Sequence, residues 1–182
     1  MRIVGGTHGG RKLVAPDGLN VRPTTDRVRE ALFNILESRG VLQDAKVLDL
    51  FSGSGALGLE ALSRGADFVL FVEQDADARG AIRTNVETLG ATGTTRIFKR
   101  DATSLGDMRR DKEGPYNLVF LDPPYGKGLG ELTLSSIKNG SWIAESATIV
   151  FECGADEMPD VSGFTLEDMR QYGDTKVLIL KA

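Results

Sequence analysis

The chain is predicted to be an α/β protein, a mostly parallel sheet with helices on both faces. Three observations predict it. Apolar runs of strand length alternate with stretches of helical period from residue 46 onward. The first of these runs, ending at Phe51, stops at Ser52-Gly53-Ser54-Gly55 and passes directly into a helix-forming run at Ala56, the unit that opens nucleotide-binding α/β sheets. The last two runs, Phe164–Arg170 and Thr175–Leu180, are separated only by Gln171-Tyr172-Gly173-Asp174. That is hairpin length and too short for a crossover, so one edge strand is expected to run antiparallel.

Taken in order, Arg2–Val4 and Arg11–Val14 read as two short strands around a tip with four glycines in six positions, Gly5 to Gly10. Val21-Arg22-Pro23-Thr24-Thr25 opens a helix, with Thr24 or Thr25 as cap and Asp26 near its positive end. Val28, Ala31, Leu32, Ile35 and Leu36 fall on one helical face. The face carrying Arg22, Arg27 and Arg29 is then expected to point outward, and Gly40 ends the helix. Strands follow at about 46–51, 68–73, 95–99, 117–122, 147–152, 164–169 and 175–180. Helices are expected at about 56–64, 76–89 and 129–138, with a weaker one near 102–110. Ala78, Ile82, Val86 and Leu89 form the buried stripe of the second of these.

At 182 residues, 41% hydrophobic and 26% charged, the chain suits one domain with a full-sized core. No apolar run approaches a membrane span, and Met1-Arg-Ile-Val-Gly-Gly6 lacks a signal-peptide core. With Cys153 as the only cysteine, no internal disulfide can form, and a cytoplasmic protein is expected. Charge is unevenly spread: residues 1–40 hold seven Lys/Arg and four Asp/Glu, whereas the remainder holds fifteen and twenty-two. A basic arm (1–40) on an acidic body (41–182) suits a polyanion docked at one end of the molecule, although a solvated terminus has the same composition. His8, the single histidine, has no Cys or carboxylate at ligand spacing and is read as a surface residue. No metal site is expected.

The glycine loop decides what kind of ligand the sheet takes. Gly53-x-Gly55-x-x-Gly58 matches a dinucleotide fingerprint, and Glu73 stands about twenty residues on, where a ribose-binding acid belongs. However, Asp49 lies inside the strand just before the loop, where its charge would repel a pyrophosphate. S-adenosylmethionine carries an ammonium and a sulfonium, which a carboxylate attracts. The strand pattern puts Asp49, Glu73, Asp101 and Asp122 at or just past four carboxyl ends, where open parallel sheets bind ligands. Asp49 suits the methionine ammonium, directly or through the loop, and Glu73 the two ribose hydroxyls. Asp101 suits the adenine amino group, with the Ala102 N–H on a ring nitrogen. Each acid alone reads equally well as a helix cap or a solvated side chain; it is the set of four that points to a site.

Asp122-Pro123-Pro124-Tyr125 is the most specific signal. An exocyclic amine on a purine is a poor nucleophile because its lone pair is delocalised into the ring. Acceptors for its N–H groups favour a pyramidal nitrogen and aim the lone pair. The Asp122 side chain and the Pro123 carbonyl are two such acceptors. Neither proline has an N–H and both have fixed φ, so the strand end is rigid. Tyr125 offers a ring on which a target base can stack. A plain Pro-Pro turn after a strand is the structural alternative.

Asp49-Leu-Phe-Ser-Gly-Ser-Gly55, Phe71-Val-Glu73 and Asp122-Pro-Pro-Tyr125 resemble class I S-adenosylmethionine-dependent methyltransferases of the amino-methylating group. Arg22-Pro-Thr-Thr-Asp-Arg-Val-Arg-Glu-Ala-Leu-Phe-Asn-Ile-Leu36, the Gly-Gly…Gly-Arg-Lys-Leu of residues 5–13 and Leu57-Gly-Leu-Glu-Ala-Leu-Ser-Arg-Gly-Ala66 narrow the resemblance. They are similar to the bacterial enzymes that methylate N2 of a guanine in 16S rRNA, the RsmD type. The resemblance implies a Rossmann-like seven-stranded sheet. It also implies S-adenosylmethionine held by Asp49, Phe51, Ser52, Gly53, Gly55, Glu73, Asp101 and Ala102, with S-adenosylhomocysteine as product, and a catalytic Asp122–Tyr125 motif. The substrate would be 16S rRNA in a small ribosomal subunit or assembly intermediate, met by a monomer through Arg11, Lys12, Arg22, Arg27 and Arg29. The family arm usually carries an aromatic and a basic residue where this chain has His8 and Gly9, so arm contacts at those positions are not carried over. Adenine N6 or a protein glutamine amide would suit the same chemistry, and a non-catalytic RNA-binding module would suit the same fold.

Overall fold

The computed structural model describes residues 1–16, 26–108 and 111–182. The strands are β1 (Lys46–Leu50), β2 (Phe68–Val72), β3 (Thr95–Phe98), β4 (Tyr116–Leu121), β5 (Ile143–Gly154), β6 (Thr165–Tyr172) and β7 (Thr175–Lys181). The helices are α1 (Asp26–Ser38), α2 (Ala56–Ser63), α3 (Ala76–Thr88) and α4 (Leu129–Asn139). All seven strands form one sheet in the order β3-β2-β1-β4-β5-β7-β6. Pairing from β3 through β5 is parallel. β7 runs antiparallel to both β5 and β6, so antiparallel pairing is confined to the hairpin edge that the four-residue connection predicts.

Strand alternation divides the core in two. Val47, Val69, Phe71, Leu118, Phe120 and Val150 face α1, α2 and α3. Leu48, Leu50, Leu70, Val119, Leu121 and Phe151 face α4 and the Trp142 region. The central strands are buried on both faces, which is why they read as continuous apolar runs. Gly58 allows α2 to lie close on this sheet: a Cβ there would stand 2.6 Å from the Phe71 ring and 2.7 Å from Val69.

Three expectations change. The helix near 102–110 is a 3₁₀ turn over Ala102–Ser104. β5 is twice the expected length, and its pairing with β4 shifts register between Tyr116 and Leu118. In α1 the buried stripe is Arg29, Leu32, Phe33 and Leu36, rotated toward Phe33 from the predicted one. That rotation brings Arg29 inside at 1% exposure. It pairs there with Asp26 (2.8 Å) and Glu60 (3.7 Å) and donates to the Arg2 carbonyl. Arg29 is therefore a tie between α1, α2 and the N-terminal arm and not an RNA contact. Arg27 is exposed as expected, while Arg22 and the Thr24/Thr25 cap lie outside the described residues.

The arm is a hairpin docked on the body. Arg2 and Lys12 bridge, and the Ile3 N–H donates to the Arg11 carbonyl at 2.9 Å. Ile3 and Leu13 enter the core. The buried Glu60 carboxylate accepts from the Val4 and Gly5 amides at 2.7 and 2.8 Å and pairs with Arg64 at 2.9 Å. At the tip Gly6 adopts φ +72, and a Cβ there would lie 1.8 Å from the Ser63 carbonyl oxygen; no side chain fits. His8, two residues on, is half-buried and donates its N–H to the Ser63 hydroxyl at 2.9 Å, and Arg11 and Lys12 remain exposed.

Candidate active site at the carboxyl ends of the strands

Strand parity gathers the acids. Asp49 lies two residues beyond Val47, Glu73 two beyond Phe71, Asp122 two beyond Phe120 and Glu152 two beyond Val150. All four therefore share the α1–α3 face of the sheet at its carboxyl edge. Asp101 stands apart, past β3, on the loop that follows.

The glycine loop is held by its own neighbours. The Ser52 hydroxyl donates to the Asp49 carbonyl (2.6 Å), and the Gly55 N–H donates to the Ser52 carbonyl (2.7 Å). Gly53 and Gly55 take φ 55 and 78, and so does a non-glycine, Phe51, at φ 57. A left-handed residue without glycine's freedom is costly and tends to mark a constrained functional turn. The Phe51 side chain compensates by packing on the α4-side core.

Asp49 is 2% exposed and accepts the Gly58 N–H, in the first turn of α2, at 2.9 Å. Burial pushes its carboxyl up to about 8 against the pull of that amide, and the charge of Glu73 adds to the rise. Asp49 thus acts through the loop, fixing the start of α2 under the glycines. Glu73 accepts from the Gly53 amide through one oxygen and from the Asp75 amide through the other, both at 2.9 Å. Each carboxylate oxygen has more than one acceptor direction, so this clamp orients Glu73 and leaves it able to take further donors. Asp101 caps the 3₁₀ turn: its Oδ1 accepts the Thr103 hydroxyl (2.7 Å) and N–H (2.9 Å). Those bonds, the hydroxyl first, hold its carboxyl below the usual range. Ala102, next to it, is buried.

At the β4 end Asp122 is half-buried, Pro123 buried, and Pro124 and Tyr125 exposed. Burial above all, then the charges of Glu152 and Asp49, raise the Asp122 carboxyl well above the ordinary carboxylate range. The Tyr125 hydroxyl donates to Glu152 Oε1 at 2.8 Å and lies 3.1 Å from Thr175 Oγ1, while 42% of the residue is exposed. Burial of that hydroxyl raises its pKa.

Sequence reading passed over three residues here. Glu152 had a signal: an acid ending the apolar run Ile149-Val150-Phe151 is the same pattern that singled out Asp49. Thr175 had none. Asn85 sat unremarked within the α3 stripe. It is 1% exposed, accepts the Val14 N–H at 2.7 Å, and donates to the Val14 and Ser54 carbonyls, both at 2.9 Å. One amide therefore joins the arm to the glycine loop.

The donor set is acidic and glycine-lined. It fits a ligand that is cationic and rich in hydroxyls and disfavours a pyrophosphate, since Asp49 and Glu73 flank the loop where phosphates would lie. Among the described residues no group of His, Cys, Asp and Glu is arranged to hold a metal, and no helix is long and apolar enough to cross a membrane.

This sheet order and edge hairpin, with the acidic strand ends, define a Rossmann-like methyltransferase fold. The structure superposes on the Escherichia coli protein YhhF with TM-score 0.85 at 39% identity, covering 100% of this chain and 97% of that one. A family profile described as "Conserved hypothetical protein 95" matches residues 1–181. Ribosomal RNA small subunit methyltransferase D of E. coli K12 is 45% identical over 152 residues, 84% of this chain and 74% of that protein. YlbH of Bacillus subtilis is 35% identical over 183 residues, 100% of this chain and 98% of its own. The chain belongs to this family, the RsmD-type methyltransferases.

Proposed function

We propose that the chain is an rRNA methyltransferase that moves a methyl group from S-adenosylmethionine to the exocyclic N2 of a guanine in 16S rRNA, within a small ribosomal subunit or an assembly intermediate. It would act in the cytoplasm as a monomer. The observation that carries the reading is the convergence, on one face of one sheet edge, of the glycine loop, Glu73 and the Asp122–Tyr125 turn. Kinship with a protein named as a small-subunit rRNA methyltransferase supports the substrate class.

When bound, S-adenosylmethionine supplies an electrophilic methyl on a positively charged sulfur. Glu73 would accept its ribose hydroxyls, Asp101 and the Ala102 N–H would take the adenine edge, and the loop Phe51–Gly55, braced by Asp49, would receive the methionine end. Tyr125 stacks the extruded base. The Asp122 carboxylate and the Pro123 carbonyl accept the amine N–H groups and point its lone pair along the methyl–sulfur axis; alignment does most of the catalysis. Transfer would form a C–N bond at the expense of the methyl–sulfur bond and release S-adenosylhomocysteine. The extra proton on nitrogen passes to Asp122 or to water. Residues 1–40, with Arg11, Lys12 and Arg27 on its outer surface, form the RNA-facing part of the same domain as 41–182.

Labelled S-adenosylmethionine incubated with the protein and unmodified small subunits tests this, with the label located by nuclease digestion and mass spectrometry. N2-methylguanine in 16S rRNA is expected. Methyladenine or labelled protein would redirect the substrate, and no transfer to any of them would overturn the enzymatic reading.

A further inference from the structure

Both ends of the N-terminal hairpin meet at one residue of the glycine loop, Ser54. At the start of the hairpin, the Ser54 hydroxyl donates to the Met1 sulfur at 3.8 Å, and the Leu13 N–H donates to the Met1 carbonyl at 3.1 Å. At its end, Val14 reaches Ser54 through Asn85 of α3. The Asn85 oxygen accepts the Val14 N–H at 2.7 Å, and its amino group donates to the Val14 and Ser54 carbonyls, each at 2.9 Å. Both N–H donors and the oxygen of the carboxamide are thus engaged, a pattern that an ionised carboxylate of the same shape cannot repeat. The Ser54 peptide is where the loop has most freedom to lose. Gly53 and Gly55 on either side take φ of 55 and 78, and glycines allow a peptide between them to turn. The Ser54–Gly55 peptide is fixed at both ends, by the Gly55 N–H on the Ser52 carbonyl at 2.7 Å and by Asn85 on the Ser54 carbonyl. Glu73 holds the Gly53 amide from the other side. The loop therefore stands between Glu73 and Asn85, and Asn85 is itself bonded to the arm.

We propose that Asn85 is a positioning residue for the cofactor loop, tying the orientation of the Ser54 peptide to the docking of the N-terminal hairpin. The proposal rests on the reading of that loop as the seat of the methionine end of S-adenosylmethionine. The docked hairpin orients the Asn85 amide, Asn85 orients the Ser54 carbonyl, and the loop so held is the form the cofactor meets. Such a coupling is reciprocal. The docked hairpin raises affinity for S-adenosylmethionine, and bound S-adenosylmethionine favours the docked hairpin by the same factor. The exposed Arg11 and Lys12 belong to the same hairpin, so RNA that grips them acts on the cofactor loop through Val14 and Asn85.

Hydrogen exchange followed amide by amide in the full chain, with and without saturating S-adenosylmethionine, tests the tie, and calorimetry gives the affinity. In wild type the cofactor should slow exchange of the Val14 amide by about three- to tenfold, the range one hydrogen bond supplies. Asn85→Asp keeps the shape and an acceptor for the Val14 N–H but offers no N–H of its own. It should weaken S-adenosylmethionine by about three- to tenfold, and its Val14 amide should no longer respond to the cofactor. Asn85→Ala should weaken the cofactor at least as much and speed Val14 exchange in both conditions. A residue that only packed α3 would, when changed, speed exchange along that helix and leave the Val14 response intact. One readout needs no cofactor: Asn85→Asp should speed exchange of the Gly55 amide by about three- to tenfold while α4 amides keep their rates. If wild type bound no S-adenosylmethionine while Gly55 exchange rose in the variant, the cofactor reading would fail and the tie would stand. The wild-type measurement involves no substitution, so a variant that does not fold leaves the proposal open to refutation. A Val14 amide indifferent to bound S-adenosylmethionine in wild type, or unchanged Gly55 exchange or affinity in Asn85→Asp, overturns the proposal.

Discussion

Asp122 carries the sharpest test at the scale of single residues. Asp122→Ala removes the side chain proposed to accept from the amine and leaves the Pro123 carbonyl. Because the contact strengthens as nitrogen pyramidalises, the loss falls on the rate of methyl transfer, by about 3 kcal/mol or roughly a hundredfold. Asp122→Asn keeps an oxygen of nearly the same shape and should retain measurable activity. Single-turnover methylation at saturating S-adenosylmethionine decides this; equal loss in both variants would make Asp122 a base rather than an orienting acceptor. Glu73→Ala should weaken S-adenosylmethionine about ten- to a hundredfold, since hydrogen bonds to a charged acceptor contribute roughly 1.5–3 kcal/mol. The clamp on Glu73 from the Gly53 and Asp75 amides adds a second consequence, because the loop loses its brace. Unchanged affinity in calorimetry would remove Glu73 from the ribose. The acids were legible because a charge at the end of an apolar run is conspicuous. What sequence does not carry is the partner of each: that Asp49 bonds to Gly58, or that Thr175, fifty positions on, meets Tyr125, depends on strand order.

The N-terminal hairpin and α1 show where element-level reading succeeds and fails. Apolar periodicity located α1 but not its rotation, because a buried arginine counts as polar in any pattern. Arg29 lies inside because Asp26 and Glu60 meet it there, and Glu60 comes from another helix. Removing one partner of such a buried pair costs about 3–5 kcal/mol, since the other charge is left uncompensated. The same docking changes how the arm is to be tested. Deleting it would strip Glu60 of two amide donors and Asn85 of Val14, damaging the loop as well as any RNA contact. Changing only the exposed Arg11 and Lys12 to Ala is the clean experiment. S-adenosylmethionine affinity should be unchanged. RNA affinity should fall, and the slope of log K against log salt should become shallower by roughly 1.4–1.8 units for two lost phosphate contacts. A wild-type slope would make the arm a purely structural cover for α2.

Across the whole molecule, the concentration of acids at one sheet edge has a pH signature. Asp49 titrates near pH 8 and Asp122 is raised by burial and by its acidic neighbours, whereas in the unfolded chain both release protons near pH 4. Between those limits the folded chain holds more protons than the unfolded one. Stability from these groups is full below about pH 4 and declines as pH rises toward 8. The melting temperature of the ligand-free protein should therefore fall across that window. Saturating S-adenosylmethionine, by placing positive charge against the acids, should flatten the fall. A profile indifferent to the ligand would mean that its charges do not sit at Asp49. Fold class, sheet direction and the hairpin edge were all readable, because alternation and connection length determine them. The order β5-β7-β6 was not, since nothing local says which hairpin strand meets β5. That order bears on synthesis. β7 lies between two strands made before it, so a nascent chain that has emerged only through β6 presents β5 with an open edge along Ile149, Val150 and Phe151. Such an edge is an aggregation hazard. Such a chain also lacks Thr175 beside Tyr125, so the Asp122–Tyr125 turn is without that contact before residues 175–181 have left the ribosome and slotted into the sheet.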